Sequence, residues 1–456
     1  MLSQLNQILS QKHQSGCFDV CFDLSSNKTI SSDKFRQDLA RLSNKISLNS
    51  ASKWLLSIES SYWFLVALFA LLTQKKEVII CANRTPRWLD EINSEYDAII
   101  SESDLDIDNK LSINLDCGTE SFNESQYQLS GAEVITFFTS GSTGAPKAIK
   151  KKLISLLNEV ETLEEAFGLL VQNKTVVASV SHSHIYGLLF KLLWPFVTGR
   201  SWAEQQIEYP EQLLMAKRSE RPFVFVSSPA FLSRIDLDLN GIEPTVTFSS
   251  GGPLSLAAAQ LAKNYFKNVP IEIYGSTETG GIAHRQQTEL TTPWKPFKKV
   301  VLEINNTDTI LRSPHIAEKY GIVLDDQLEI FSDGQFILKG RKDRVVKLEE
   351  KRVSLTEIES YLETMTSVEN SVALLLSGER HVLGVVIVLS SEGQLLLEEK
   401  GKRYLVEHWK RQMRQRFEPV TIPRKWRIVE CIPLTSQSKL DTDSLLQLFC
   451  HSEKAS

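Results

Sequence analysis

Apolar and polar positions alternate in blocks along the first three quarters of the chain. The block Tyr62–Leu72 is apolar throughout its 11 residues, which predicts a helix buried on all sides. Shorter runs rich in β-branched and aromatic residues predict strands at Val78–Cys81, Thr175–Ser179, Phe223–Val226 and Ile271–Tyr274. Longer stretches predict helices at Leu153–Leu170 and Leu254–Phe266, and Glu91–Ile100 repeats the helix–strand order. Because strands that alternate with helices form parallel sheets covered by helices, the pattern predicts an α/β fold.

The pattern changes beyond about residue 340. Ser354-Leu-Thr-Glu357 is a capping box that predicts a helix over Glu357–Met365. A strand pair follows at Ser371–Leu376 and Val382–Leu389, and then a long helix with a core-facing stripe formed by Leu405, Trp409, Met413 and Phe417. We therefore predict a large N-terminal domain over residues 1–341, with parallel or mixed sheets flanked by helices, and a small α+β domain over residues 342–456.

Composition narrows the functional classes. The chain has 456 residues, of which 42% are hydrophobic and 23% charged, as in ordinary globular proteins. Its net charge of −5 gives no reason to expect nucleic-acid binding, and its six cysteines are too sparse for a disulfide framework or a zinc site. The longest apolar run is well short of the roughly 20 residues that span a bilayer. The first residues lack the basic and apolar regions of a signal peptide, so we expect a cytoplasmic protein without a membrane span.

The segment Thr136–Lys147 carries the strongest chemical signal. It follows a strand-like run and combines glycines, hydroxyls and a lysine, namely Thr139, Ser140, Gly141, Ser142, Thr143, Gly144 and Lys147. Glycines let the backbone approach a polyanion closely, and clustered N–H and O–H donors bind phosphate oxygens. A mobile surface turn has similar residues, and taken alone the segment leaves both interpretations open. It is not a Walker A loop, because no Gly-Lys-Ser/Thr triplet closes it.

Three further segments complete a pattern. They are Tyr274–Gly281, Asp326–Arg341 with its continuation to Lys347, and Pro433–Asp441. In order and spacing, the four motifs resemble the adenylate-forming superfamily of acyl- and aryl-CoA synthetases, peptide-synthetase adenylation domains and luciferases. The resemblance runs from about Trp54 to Leu445. More narrowly, Lys347–Leu355 and the short chain are similar to the compact acyl ligases of bacterial aryl-polyene clusters.

The resemblance implies ATP and Mg²⁺ as cofactors and a role for each matching residue. The residues from Thr139 to Lys147 would hold the β- and γ-phosphates, and Tyr274 would pack on adenine. Thr277 would contact the α-phosphate and Glu278 would help to hold Mg²⁺. Asp326 and Arg341 would bind the ribose, and Asp343 would be the hinge of a mobile C-terminal domain. Lys439 matches the C-terminal catalytic lysine, with Ser438 in place of the usual glycine, and Leu324-Asp-Asp326 replaces the usual Thr-Gly-Asp.

The same resemblance points to an acyl pocket. His184 and Gly187 match the segment that lines it, and His184 is grouped with Lys439, Thr277 and Glu278 as a catalytic candidate. A core histidine satisfied by hydrogen bonds is the alternative for the pair His182 and His184. The other predicted walls are Ser250, Gly251, Gly252, Gly280 and Gly281. The stretch 179–190 has no carboxylate to pair with a substrate amine, which favours an uncharged aryl or fatty tail over an amino acid.

The sequence thus predicts an ATP-dependent ligase. It would adenylate a carboxylic acid and transfer the acyl group to the pantetheine thiol of an acyl carrier protein or coenzyme A. Ten Lys and Arg residues against two acids over Lys400–Arg427 form either a solvated helix face or a surface that guides the acceptor. Glu350 occupies the position of a family glycine beside the pantetheine tunnel. The rival interpretations are a non-catalytic nucleotide-binding scaffold of the same fold and a phosphotransferase that makes ADP.

Overall fold

The fold is taken from a computed structural model and comprises two compact units. Residues 1–301 with 312–321 form the first unit, and residues 302–311 with 322–456 form the second. The structure describes the chain except residues 11–16, 83–85, 103–110, 115–126, 141–145, 236–240, 306–307, 342–343, 349–350, 377–381, 418, 435–439 and 451–456. Residues 322–341 cluster with the second unit, whereas the sequence placed them at the end of the large domain. The domain boundary at residues 341 and 342 stays a prediction.

The elements of the first unit follow in chain order. Within the described residues its strands are β1 (Asp19–Phe22), β2 (Thr29–Ser31), β3 (Lys53–Ser57), β4 (Glu77–Cys81), β5 (Ala98–Ser101), β6 (Leu111–Asn114), β7 (Val134–Ser140), β8 (Pro146–Lys152), β9 (Thr175–Ala178), β10 (Trp202–Gln206), β11 (Phe223–Ser227), β12 (Val246–Ser249), β13 (Ile271–Ser276), β14 (Gly280–Gln286) and β15 (Lys295–Pro296). Its helices are α1 (Leu2–Ser10), α2 (Ser32–Ser47), α3 (Ser61–Thr73), α4 (Pro86–Glu91), α5 (Leu153–Phe167), α6 (Ile185–Gly187), α7 (Trp194–Val197), α8 (Leu213–Arg218), α9 (Pro229–Leu232) and α10 (Leu256–Phe266). A π-helix over Leu188–Leu193 joins α6 to α7, and 3₁₀ turns occupy Asn93–Glu95 and Pro210–Gln212.

The two sheets of this unit enclose α3. In the described part of the chain, one sheet has the order β6-β5-β3-β4-β7-β8 and the other β15-β14-β13-β12-β11-β9-β10-β1-β2. The helix α3 contacts β3 and β4 of the first sheet and β10 of the second, which explains why it is apolar on every side. Its N-terminus is capped by Ser60, whose Oγ accepts a hydrogen bond of 3.1 Å from the Trp63 amide. The predicted buried helix is therefore confirmed.

Central strands of both sheets are parallel, and antiparallel pairs occur towards the edges. Strands β9, β11, β12 and β13 pair in parallel, while β14 returns antiparallel to β13. Likewise β3, β4 and β7 are parallel, and β8 returns antiparallel to β7. This arrangement confirms the predicted α/β class and brings polar segments together at the carboxyl ends of the strands.

One predicted helix was too long. The helix expected over Leu153–Leu170 ends at Phe167, and Leu169 is 90% exposed. The cause is Gly168, which has a low helix propensity and forms the C-cap. Among the described residues, every helix is too short or too polar to cross a membrane.

The second unit has its own core. Within the described residues its strands are β16 (Val301–Asn305), β17 (Asp308–Arg312), β18 (Ile322–Leu324), β19 (Asp326–Ile330), β20 (Phe336–Arg341), β21 (Val345–Leu348), β22 (Lys351–Ser354), β23 (Val368–Leu376), β24 (Val382–Leu389) and β25 (Lys425–Val429). Its helices are α11 (Leu355–Leu362), α12 (Ser391–Met413) and α13 (Thr442–Cys450), with a 3₁₀ turn at Pro419–Thr421. The strands form the groups β16-β17-β18, β19-β20, β21-β22 and β23-β24-β25.

The predicted elements of this unit are present, with shifted ends. Ser354 caps α11 by accepting a hydrogen bond from the Glu357 amide, so the helix begins at Leu355 and not at Glu357 as predicted. The predicted stripe is buried, since Leu405, Trp409 and Met413 are 0% exposed. Phe417 is the exception, because α12 ends at Met413 and Phe417 packs against Tyr361 at 5.2 Å between ring centroids.

Candidate active site

The predicted phosphate loop joins two paired strands. Strands β7 and β8 form an antiparallel hairpin in which Thr139 faces Lys147 and Ser140 faces Pro146. The hydroxyl-rich segment therefore begins at the carboxyl end of a strand, as predicted. Gly141, Ser142, Thr143 and Gly144 lie outside the described residues, and for Ser140 only the backbone is described.

A second polar turn connects β13 to β14. Its backbone is fixed by Thr279, whose Oγ1 accepts from the Ser276 amide at 2.9 Å and donates to the Gly280 carbonyl at 2.7 Å. Gly280 has a φ of +66°, a conformation that suits glycine. Between these residues, the Thr277 side chain is half-buried and the Glu278 side chain is exposed.

The two turns meet in space. Lys147 Nζ lies 2.8 Å from Glu278 Oε1, although the residues are 131 positions apart in the chain. Partial burial raises the pKa of Glu278, but the hydrogen bond from Lys147, the residue's own amide and the lysine charge outweigh this. The net pKa of Glu278 lies below its ordinary value, so its carboxylate is ionised at neutral pH.

Directly beneath this contact lies a cluster that sequence reasoning missed. Lys151 Nζ donates to the Glu278 carbonyl at 2.6 Å, and Glu159 Oε1 accepts from the Gly281 amide at 2.6 Å. His315 Nδ1 lies 2.9 Å from the Gly281 carbonyl. All three side chains are buried, with exposed fractions of 6%, 5% and 1% for Lys151, Glu159 and His315.

The strand period carried a usable signal for Lys151. Alternate residues of a strand share a face, and Ile149 of β8 is apolar and buried. Lys151 shares its face, whereas Lys150 and Lys152 are exposed. Residues 150–152 are three consecutive lysines, a basic run whose residue type alone does not show which lysine is buried. No comparable local signal marked Glu159 or His315.

Tyr274, the predicted adenine-packing residue, lies near the end of β13. Its ring centroid is 5.5 Å from that of Trp294. Arg285 places its guanidinium 4.4 Å from the centre of the Trp294 ring and pairs with the buried Glu272 at 2.8 Å. Tyr274 is therefore held against a packed aromatic and not on a free loop.

In the second unit, the predicted ribose-binding residues face each other. Asp326 begins β19 and Arg341 ends β20, and the antiparallel register places them directly opposite. For Arg341 only the backbone is described. The preceding Gly340 has a φ of +127°, and a Cβ there would lie 2.8 Å from Thr356 Cβ of α11. Glycine is therefore required for this hairpin to approach the helix.

The predicted acyl-pocket segment lies at the start of α6. His184 is the N-cap residue of that helix and is half-buried. A Cβ on Gly187 would come within 2.1 Å of the Ser181 carbonyl oxygen, so this turn packs too closely for any other residue. His182 is the buried histidine of the pair, with Nε2 at 3.1 Å from the Ile58 carbonyl and its ring 4.5 Å from that of Phe64. The core-histidine interpretation thus fits His182.

The remaining predicted pocket residues fall into two groups. Ser250 Oγ donates to the Ile273 carbonyl at 2.9 Å, linking the end of β12 to β13, and Gly251 and Gly252 are exposed. Gly280 and Gly281 are buried, and a Cβ on either would lie within 3.0 Å of a Glu159 carboxylate oxygen. Their assignment as pocket walls stays a prediction.

Asp343 is the predicted hinge and Lys439 the predicted C-terminal catalytic lysine. Asp343 and Lys439 lie outside the described residues, as does Glu350. In the part of the chain that the structure describes, no group of three or more His, Cys, Asp or Glu side chains is arranged to hold a metal ion. A single carboxylate such as that of Glu278 still suits Mg²⁺, which keeps several waters and takes its other ligands from substrate phosphates.

Comparisons with known proteins identify relatives of this chain. A 4-coumarate–CoA ligase of Rhodobacter capsulatus is 26% identical over 317 residues, covering 66% of this chain and 73% of that protein. VraA of Staphylococcus aureus, provisionally named a long chain fatty acid–CoA ligase, is 25% identical over 69% of this chain and 71% of its own length. A D-alanine–D-alanyl carrier protein ligase of Staphylococcus aureus is 23% identical over the same shares.

Solved structures share the fold. The crystal structure of ATP-bound MatB from Rhodopseudomonas palustris matches with a TM-score of 0.81 at 16% identity, over 98% of this chain and 99% of that one. The AMP-binding enzyme family matches residues 60–315, more than half of the 456 residues. This span contains the β7–β8 hairpin, the β13–β14 turn and the buried cluster beneath them. The chain therefore belongs to the AMP-binding enzyme family, the adenylate-forming superfamily of acid–thiol ligases that its motifs resemble.

Proposed function

We propose that this enzyme uses ATP and Mg²⁺ to convert an aryl or fatty acid into its acyl-adenylate and then transfers the acyl group to a pantetheine thiol. The observation that carries the proposal is the contact between Lys147 and Glu278 at 2.8 Å. It joins the lysine of a glycine- and hydroxyl-rich loop to a carboxylate that suits Mg²⁺. A triphosphate with its metal needs these two groups side by side.

The first half-reaction replaces a poor leaving group with a good one. A carboxylate oxygen of the acid attacks the α-phosphorus of ATP, and the bond from that phosphorus to the bridging oxygen of the β-phosphate breaks. Pyrophosphate leaves and the acyl-adenylate remains. Because both reactants are anions, the site has to supply positive charge where negative charge gathers.

Each residue of the site has a part in this step. Lys147 and the loop from Thr139 hold the β- and γ-phosphates, and Thr277 contacts the α-phosphate. Glu278 would hold Mg²⁺, which neutralises phosphate charge when bound. Tyr274 packs on the adenine, and the facing pair Asp326 and Arg341 binds the ribose. Lys439 stabilises the oxygens around the α-phosphorus, and Asp343 serves as hinge.

In the second half-reaction the thiol sulfur attacks the acyl carbon, loses its proton, and AMP leaves. Aryl and fatty tails are both consistent with relatives named for coumarate and for long chain fatty acids. The stretch 179–190 with His184 and Gly187 lacks a carboxylate, which favours an uncharged tail. Such a tail needs no buried counter-ion.

For the acceptor we favour an acidic carrier protein over coenzyme A. Basic side chains over Lys400–Arg427 outnumber acids ten to two, and one relative is named for a carrier protein. Of these, Arg403 and Arg411 are exposed on α12 and Arg414 is exposed directly after its end, while the apolar stripe of the helix faces the core. Charge steering predicts that turnover with a carrier falls steeply as salt rises. Equal turnover at low and high salt would contradict steering.

One experiment tests the core of the proposal. The purified protein is incubated with ATP, Mg²⁺ and a panel of aryl, short-chain and long-chain acids, and the nucleotide products are separated. Acid-dependent formation of AMP and pyrophosphate is expected. ADP and phosphate would indicate a phosphotransferase, and no turnover with any acid would favour a nucleotide-binding scaffold.

A further inference from the structure

The turn that carries Thr277 and Glu278 is held from below by three buried side chains. Lys151 donates to the Glu278 carbonyl at 2.6 Å, Glu159 accepts from the Gly281 amide at 2.6 Å, and His315 lies 2.9 Å from the Gly281 carbonyl. Lys151 also donates to the His315 carbonyl at 3.2 Å. We call these three residues the buried clamp.

A buried lysine is costly unless its charge is compensated. Lys151 is only 6% exposed, and burial lowers its pKa while the negative charges of Glu159, Glu318 and Glu278 oppose that effect. Its hydrogen bonds go to two backbone carbonyls, which a methionine or leucine could not satisfy. A buried ammonium group costs free energy and does not stabilise the strand itself. We therefore attribute the presence of Lys151 to the Glu278 and His315 carbonyl groups to which it donates.

The protonation of His315 follows from its neighbours. The Gly281 carbonyl can only accept, so Nδ1 carries a proton, and Nε2 lies 2.9 Å from Thr162 Oγ1, which is also 3.0 Å from the Asn158 carbonyl oxygen. Burial lowers the pKa of His315, and the positive charge of Lys151 lowers it further. The negative charge of Glu159 and the hydrogen bond to Gly281 raise it, but the net pKa lies below its ordinary value. The ring is therefore neutral and fixed in one tautomer.

The glycines of the turn make this approach possible. A Cβ on Gly280 would lie 2.6 Å from Glu159 Oε2 and 2.9 Å from His315 Cβ. On Gly281 it would lie 3.0 Å from Glu159 Oε1. The absence of a Cβ at both positions therefore lets the clamp contact the backbone of the turn directly.

We propose that Lys151, Glu159 and His315 are positioning residues that hold Thr277 and Glu278 where the α-phosphate and Mg²⁺ bind. This inference rests on the proposed adenylation. The clamp touches neither substrate nor nucleotide in this proposal and acts through the backbone of the turn. Misplacing catalytic groups by about 1 Å costs on the order of 100-fold in rate.

The test compares Lys151→Met with Lys150→Met, the neighbouring residue on the exposed face of the same strand. Both lose an ammonium group, but Lys150 is exposed and pairs with Glu77 at 3.0 Å. We expect Lys151→Met to lower kcat of acid-dependent ATP–pyrophosphate exchange about 10- to 100-fold, with KM for the acid changed less than about twofold. Amide hydrogen exchange over residues 276–284 should also become faster. Lys150→Met should match the wild type in each measurement.

The following outcomes would overturn the inference or change the variant or measurement that tests it. Equal kcat and equal amide exchange in the two variants would overturn it, and so would faster amide exchange with an unchanged kcat. If Lys151→Met does not fold, Glu159→Gln replaces it. This variant keeps an oxygen that accepts from the Gly281 amide but removes the negative charge near Lys151. We expect the same fall in kcat and the same faster amide exchange. If the wild type shows no exchange with any acid, the proposed function fails. Affinity for ATP with Mg²⁺ then replaces kcat, and equal affinities of the Lys151→Met and Lys150→Met proteins would overturn the clamp.

Discussion

The ammonium group of Lys147 lies 2.8 Å from a carboxylate oxygen of Glu278, and the two side chains are 57% and 41% exposed. An ion pair as exposed as this one contributes little to folding stability, because solvent screens it. Its importance is therefore positional. It brings the end of the β7–β8 hairpin to the β13–β14 turn, and this is the place where a triphosphate and its metal would need opposite charges together.

Glu278→Gln should abolish most activity without loss of stability. The amide keeps the size of the side chain but loses the charge that suits Mg²⁺, so kcat for pyrophosphate exchange should fall about 10²- to 10³-fold. The free energy of unfolding should change by less than about 1 kcal/mol. Steady-state kinetics at several Mg²⁺ concentrations and urea denaturation measure the two effects.

The pair of Lys150 and Glu77 provides a control for this variant. Lys150 lies on β8 of the same hairpin and Glu77 on β4. The distance from Lys150 Nζ to Glu77 Oε1 is 3.0 Å, and neither residue has a part in the proposed chemistry. Glu77→Gln should leave pyrophosphate exchange unchanged. Full activity of Glu278→Gln would remove this residue from the site.

Lys439→Ala should stop adenylate formation in a protein that stays folded. The proposed role is electrostatic stabilisation at the α-phosphorus, and loss of one such group costs about 10²- to 10³-fold in rate. Lys425→Ala is the matched control, because Lys425 is an exposed lysine of the same unit on β25. Pyrophosphate exchange measures the effect, and an unchanged rate in Lys439→Ala would contradict the assignment.

Asp326→Ala should weaken nucleotide binding. Asp326 faces Arg341 at the open end of the β19–β20 hairpin, and loss of a charged hydrogen bond to the ribose should raise KM for ATP about 10- to 100-fold. Asp333 lies in the turn at the other end of this hairpin, where Oδ1 accepts from the Gln335 amide at 3.0 Å. Asp333→Ala should leave KM for ATP unchanged, and equal effects of both substitutions would indicate a general disturbance of the hairpin.

The second unit should lose stability as the pH rises from about 4.5 to about 7. Burial raises the pKa of Glu363 from 4.5 to about 7, although the Ser371 amide opposes this by donating to Oε1 at 3.0 Å. Between these values the folded state holds a proton that the unfolded chain has lost. The contribution of Glu363 to the free energy of unfolding is therefore largest below about pH 4.5, and it is lost as the pH rises through 7.

Glu363→Gln should remove this part of the pH dependence, which is on the order of 2 kcal/mol. The measurement is the free energy of unfolding by urea at pH 5 and pH 8, in the variant and in the wild type. Glu369→Gln provides the control, because Glu369 is exposed on β23 in the same unit. An identical pH profile in wild type and Glu363→Gln would show that the carboxyl titrates normally.

Local patterns predicted the elements that depend on one stretch of chain. The apolar run at α3, the strands β9, β11, β13 and β24, and the cap at Ser354 were all found at or near their predicted positions. Errors occurred at helix ends, as at Gly168 after α5. The pattern of buried positions determines which residues form a helix or strand. The last turn of a helix depends on weak capping contacts, and small differences in sequence change where it ends.

The sequence by itself determined the α/β class, the order of the motifs and the chemistry of their side chains, because periodicity and residue type act over short distances. Only the tertiary structure decided that Lys147 meets Glu278, that Lys151 is the buried member of its basic run, and that Glu159 and His315 lie beneath the same turn. The contacts of Lys147, Lys151 and Glu159 with the turn join segments more than 100 residues apart, and His315 is 34 residues from Gly281. Their geometry is set by strand register and sheet order, which no local pattern contains.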